Sequence, residues 1–87
     1  MVIKDKAGNA QQVRERKILV DNIEFGVTRW RPDGTKSTRF FNAYEIVTGH
    51  WCGIGKDIEA VEKFIGERIV SIKKVLNDLE LPKQSLF

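Results

Sequence analysis

The fold turns on 57-DIEAVEKFIGERIVSIKKVLNDLEL-81. Ile58, Val61, Ile65, Ile69, Ile72, Leu76 and Leu79 recur at steps of three and four residues, which puts them on one face of an α-helix, and Phe64 and Val75 widen the stripe. Asp57 suits the positive N-terminal end of such a helix, Glu59 and Lys63 form a favourable i, i+4 pair, and Pro82 is expected to stop it. At 1.5 Å per residue a straight helix of this length spans about 37 Å, whereas a compact domain of this size is roughly 30 Å across. One molecule would leave part of the stripe uncovered, which predicts that two copies pair through Ile65, Ile69, Ile72, Leu76 and Leu79. Gly66 opens the alternative of a bend that returns the second half of the helix to its own molecule.

Upstream, the period changes from helical to alternating. Lys17-Ile18-Leu19-Val20 is a short apolar run, after which Ile23, Phe25 and Val27 alternate with Glu24, Gly26 and Thr28 as in a half-buried strand. Arg31-Pro32-Asp33-Gly34-Thr35 then reverses the chain, because proline presets one turn position and glycine supplies the left-handed one after it. Thr38 to Val47 reads as the return strand, with Phe40, Tyr44 and Ile46 on one side and Phe41, Ala43 and Val47 on the other. A short helix competes for residues 42–49, since Asn42 with Glu45 resembles a capping box and Gly49 would close it. Trp51-Cys52-Gly53-Ile54-Gly55 is a last short strand or an extended entry into the helix. Residues 1–15 read as a flexible arm with a turn at Ala7-Gly8-Asn9, to which Val2 and Ile3 could add a short strand, and 82–87 as a tail. The expected fold is α+β: a single domain over 16–81, with a small antiparallel sheet of three to four strands followed by one long C-terminal helix.

Composition excludes several classes of function. With 41% hydrophobic and 31% charged residues the chain is that of an ordinary globular protein. No apolar run approaches the roughly 18 residues of a membrane span, and Met1-Val2-Ile3-Lys4-Asp5-Lys6 is too polar for a signal peptide, so a cytoplasmic protein is expected. One cysteine, Cys52, and one histidine, His50, give neither an internal disulfide nor a zinc-type ligand set; no metal or cofactor is expected. His50 and Cys52 stand two apart, a spacing that puts both on one face of an extended segment as for a nucleophile and its base, but no Asn or Asp partner lies nearby, and a surface histidine beside a small buried thiol accounts for them. Gly49 to Lys56 carries glycines and a lysine before a helix, yet it lacks the spacing of a phosphate loop and Asp57 would repel phosphate. Neither an enzyme nor a small-molecule substrate is expected.

The segment Arg29-Trp30-Arg31-Pro32-Asp33-Gly34-Thr35-Lys36-Ser37-Thr38-Arg39-Phe40-Phe41 differs in kind. Cations and aromatics crowd one reversal with a single acid, the combination that single-stranded nucleic acid needs: cations follow the backbone while aromatic faces stack bases. Arg29, Trp30, Arg31, Lys36, Arg39, Phe41 and Lys56 are the candidate binding residues. The plainer alternative is a solvated hairpin whose aromatics are core. Trp30 falls on the strand face opposite Ile23, Phe25 and Val27, which favours exposure. The charge is uneven too: residues 1–56 hold ten Lys/Arg against six Asp/Glu, and residues 57–87 five against six. An anionic partner would meet the N-terminal part.

An alternating strand ending in Trp30-Arg31-Pro32-Asp33-Gly34, then Gly53-Ile54 leading into a helix through Glu59, resembles the positive cofactor four family of transcriptional coactivators and its bacterial and phage relatives. The resemblance implies a curved antiparallel sheet followed by one helix, dimerisation through the helices, and single-stranded DNA, rather than RNA, bound on the sheet. It implies that Trp30 stacks on a base and that Lys56 contributes at the strand's end. A second resemblance, through Gly26-Val27 and Glu59-Ala60, is to the sheet-plus-helix DNA-binding domains of phage integrases. The expected function is that of a non-catalytic, homodimeric single-stranded-DNA-binding protein in replication, recombination or transcription. The alternative is a small protein-binding regulator or inhibitor, for instance phage-encoded, that offers the helix stripe to another protein.

Overall fold

The computed structural model describes residues 1–4 and 7–84, with side chains up to Asp78. In chain order the elements are β1 (Val2–Lys4), β2 (Ala10–Gln12), β3 (Arg16–Val20), β4 (Ile23–Thr28), β5 (Phe41–Glu45), β6 (Trp51–Gly55), α1 (Ile58–Glu67) and α2 (Ile69–Gln84). Strands β3 to β6 form an antiparallel meander in sequence order, and β1 and β2 pair separately. The α+β class and the four-stranded sheet agree with the sequence patterns.

Asp21 and Asn22 set the register. Both adopt left-handed backbone, with φ of 51° and 65°, and form a two-residue turn that pairs Val20 with Ile23 and Arg16 with Val27. Their short polar side chains tolerate that conformation. The apolar stretch on either side is therefore a hairpin. Residues 41–45 are strand, not helix. The Glu45 carboxylate does not reach back to Asn42; it accepts from the backbone N–H groups of Val47 and Thr48 at 2.6 and 2.9 Å, ordering the β5–β6 turn.

The helical segment is not one helix. Arg68, with φ −116° and ψ 14°, leaves helical geometry, and its N–H donates to the Ile65 carbonyl three residues back before α2 begins. The cause is geometric. Strands of five or six residues span roughly 17–20 Å, so a straight helix of about 37 Å would overhang the sheet, whereas the break lets both halves of the stripe reach it. Val61 and Ile65 of α1 and Ile72 and Leu76 of α2 join Phe25, Val27, Ala43 and Cys52 in one core, with Ile69 packed against it. Ile65, Ile69, Ile72 and Leu76, expected to face a second copy, thus cover their own sheet; the Leu79 side chain lies outside the described residues. Pro82 does not stop the helix either, since α2 runs through it to Gln84.

The opposite face of the sheet carries the N-terminal hairpin. In place of the expected arm, Ile3 and Val13 bury against Tyr44, with Met1, Trp30 and Trp51 packed around them. The Met1 ammonium donates to the Val13 carbonyl at 2.8 Å and meets Glu15 at 2.9 Å. Two glycines permit these close layers. A Cβ on Gly49, in the β5–β6 turn, would overlap the Val2 carbonyl of β1, and one on Gly55 would overlap the backbone of Ala60 and Val61 at the start of α1.

Candidate nucleic-acid interface

The meander delivers cations to one end of the sheet. Arg16 pairs with Val27, Thr28 with Asn42, and Phe41 with Gly55, so the start of β3, the end of β4, the start of β5 and the end of β6 lie side by side. Arg14, Arg16, Arg29, Arg31, Lys36, Arg39 and Lys56 all fall in or beside those four chain ends. The carboxylates there are engaged locally. Glu15 meets the Met1 ammonium, Asp33 accepts from the Thr35 N–H and hydroxyl at 2.9 and 2.6 Å, and Asp57 caps α1 by accepting from the Ala60 N–H at 2.8 Å. Asp21, Glu24 and Glu45 sit at or towards the other end, where Asp21 pairs with Lys73. The sheet is polarised along its strands.

The β4–β5 connection is held by its own hydrogen bonds. Arg31 donates through its backbone to the Thr35 carbonyl at 2.7 Å and through its guanidinium to the Thr35 hydroxyl at 3.1 Å. Gly34, at φ 86°, completes the expected Pro-Asp-Gly reversal. Ser37, buried, accepts through Oγ from the N–H groups of Arg39 and Phe40 at 3.3 and 3.0 Å. The Tyr44 hydroxyl donates to the Trp30 carbonyl at 2.8 Å and ties the connection to the sheet. Burial, with the Asp33 charge adding, pushes the Tyr44 phenol well above its ordinary value.

The candidate residues divide between the two faces. Arg29 stacks over Phe41, 4.2 Å from the ring centroid, on the side facing the helices. Trp30 lies on the hairpin side, as its strand position predicts, but it is half-buried, with Lys36 Nζ 5.9 Å from its ring centroid. Arg31, Lys36, Arg39 and Lys56 are exposed. The most open aromatic at this end is Phe40, 38% exposed, whereas Phe41 is half-buried. Arg14 and Arg16 belong to the same end and were missed by the sequence patterns. Only the register across the Asp21-Asn22 turn brings them there.

The other sequence candidates take structural places. Cys52 is buried, its thiol donates to the His50 carbonyl at 3.3 Å, and burial pushes its pKa up to about 11. His50 is exposed at the start of β6. Among the described residues no group of three or more His, Cys, Asp or Glu side chains could hold a metal ion, and no helix is long and apolar enough to cross a membrane. No protein-family model, curated protein or solved structure matches the chain.

Proposed function

We propose that the protein binds single-stranded nucleic acid, DNA before RNA, at the cation-rich end of its four-stranded sheet, and that it does so without catalysis. The observation that carries the proposal is the gathering of Arg14, Arg16, Arg29, Arg31, Lys36, Arg39 and Lys56 at one end while its acids are occupied in turns, a cap and an ion pair. Such an end attracts a flexible polyanion, and Phe40 and the half-open Trp30 offer surfaces for its bases. The surface is contained in one chain, so a second copy adds to it but is not required.

Fluorescence anisotropy with a labelled oligonucleotide tests this. Micromolar or tighter binding is expected at low salt. If four to six phosphates are neutralised, the logarithm of the affinity should fall with the logarithm of salt concentration at a slope of about −3 to −4. Absence of binding at low salt refutes the proposal, and a flat salt dependence moves the site away from these cations.

A further inference from the structure

The sheet face under the N-terminal hairpin combines three aromatic side chains with one unsatisfied donor. We infer that this face is a covered extension of the nucleic-acid site, on which unpaired bases stack against Trp30 and Trp51 when the β1–β2 hairpin lifts away. The inference rests on the single-stranded reading above and adds a competition between hairpin and bases for one surface.

What lies beneath the hairpin is better suited to a base than to a permanent core. Tyr44 is fully buried with Ile3 and Val13, while Trp30 and Trp51 pack at the margin of that cluster and are only partly buried, Trp51 also meeting Phe64 of α1 edge-on with ring centroids 6.2 Å apart. Asn42 lies on the same face between them. Its Oδ1 accepts from Trp51 Nε1 at 3.1 Å. An indole N–H can only donate, so this contact fixes the amide's orientation and sends its NH2 group elsewhere. That group is buried without a hydrogen-bond partner, in a side chain only 2% exposed. A donor left in this state disfavours the covered arrangement, and the carbonyl oxygen of a base, or water admitted with it, would satisfy it. Lys36 beside Trp30 joins the face to the cation-rich end, so a strand bound there has a continuous path onto the indoles.

The cover is built to be displaced. β1 and β2 pair with each other over three residue pairs, and among the described residues no backbone hydrogen bond joins them to the four-stranded sheet. A two-stranded hairpin alone is marginal in water. It is seated by the side chains of Met1, Ile3 and Val13, by the ammonium–Glu15 pair, and by the close approach of Val2 and Ile3 to Gly49 in the β5–β6 turn. A binding surface that is open only part of the time shows an affinity reduced by that fraction, and loosening the cover restores it.

Hydrogen–deuterium exchange on the wild-type protein, with and without saturating oligothymidylate, is the test. Exchange at the amides of β1 and β2 should rise on binding while tryptophan emission is quenched. Binding with unchanged or stronger protection of the hairpin overturns the inference and leaves the cation-rich end standing as the site. Ile3→Asp, which loosens the seat, should bind about tenfold more tightly. Adding Trp51→Ala should remove that gain, as loss of a stacked base weakens binding by about 5- to 150-fold. An Ile3→Asp protein that stays folded by circular dichroism and binds no better also overturns the inference. If that variant fails to fold, the wild-type exchange experiment decides alone. Absence of binding by both proteins removes the nucleic-acid function itself.

Discussion

On one face of the sheet, Val61 and Ile65 of α1 and Ile72 and Leu76 of α2 pack on Phe25, Val27, Ala43 and Cys52; on the other, Met1, Ile3 and Val13 pack on Tyr44, Trp30 and Trp51. Both covers bury apolar surface, but they differ in what holds them. The helices satisfy their own backbone groups, and Gly55 lets α1 approach the sheet at backbone contact. Among the described residues the hairpin has three strand residue pairs, two Met1–Val13 hydrogen bonds that close it, the ammonium–Glu15 pair, and an approach of Val2 to the backbone of Gly49. The same strands therefore carry one face closed by helices and one closed by a hairpin that, among the described residues, makes no backbone hydrogen bond to the sheet; on the inference above, the second cover opens at lower cost than global unfolding.

Equivalent deletions make the sharpest comparison, because Ile65 and Ile3 are both 0% exposed. Ile65→Ala should lower unfolding free energy by about 2–5 kcal/mol in urea, with all probes shifting together. Ile3→Ala should lower it by no more than the hairpin's docking energy, on the order of 1–2 kcal/mol, while exchange over residues 1–13 rises steeply. Equal losses at the two positions would show that the hairpin unfolds only with the rest of the protein. That outcome would abolish the distinction between the faces.

The two covers also differ in how legible they are in the sequence. The helix-covered face is written in period: the stripe from Ile58 to Leu76 and the alternation of Ile23, Phe25 and Val27 name most of that core. Two features escape the pattern. The helix breaks at Arg68, a good helix former, where the short strands leave no room for a straight helix, and the extent of the sheet is not a local property of the sequence. The Asp21-Asn22 turn has no glycine or proline to announce it, although aspartate and asparagine are the residues that tolerate left-handed backbone. The hairpin-covered face is harder to read, because two strands of three residues carry too little alternation to register, and Ile3 and Val13 find their partners only in three dimensions. For the site, the local crowd around Pro32 is visible in the sequence, but its division by the sheet and the recruitment of Arg14 and Arg16 depend on register.

Trp30 stands where the two regions meet, at the margin of the hairpin's cluster and beside Lys36 at the cation-rich end. Trp30→Ala should weaken oligonucleotide binding by about 1–3 kcal/mol in an anisotropy titration. Lys63→Ala, on the exposed side of α1, should leave it unchanged. Equal effects of the two substitutions would point to a surface elsewhere.

Acid should open one face before the other. A hydrogen bond from the Met1 ammonium, with backbone hydrogen bonding and charge attraction adding, holds the Glu15 carboxyl below its ordinary value of 4.5. A carboxyl with a depressed folded-state pKa stabilises the fold fully above its ordinary value and loses that contribution as pH falls through the depressed one. Exchange at β1 and β2 amides, corrected for the intrinsic pH dependence of exchange, should therefore rise as pH is lowered below 4.5, while the helix-covered core keeps its protection. In Glu15→Gln the hairpin should lack that transition and show the higher exchange at neutral pH as well. Loss of protection on both faces at one pH would mean that other carboxylates govern acid unfolding.

Arg16 gives the smallest expected effect and a specific one. It is exposed at the start of β3, opposite Val27, and reaches the cation-rich end only through the strand register. If it neutralises one phosphate, Arg16→Ala should leave folding almost untouched, weaken binding a few-fold at low salt, and reduce the magnitude of the salt slope by about 0.7. Lys17→Ala removes the same charge one residue along, from a side chain on the hairpin-side face that is 4.0 Å from Glu24. The two variants have equal net charge, so long-range attraction alone would change their slopes equally. A change confined to Arg16→Ala assigns the phosphate contact to the end of the sheet, and the reverse pattern would place the bound strand across β3 on the hairpin-side face.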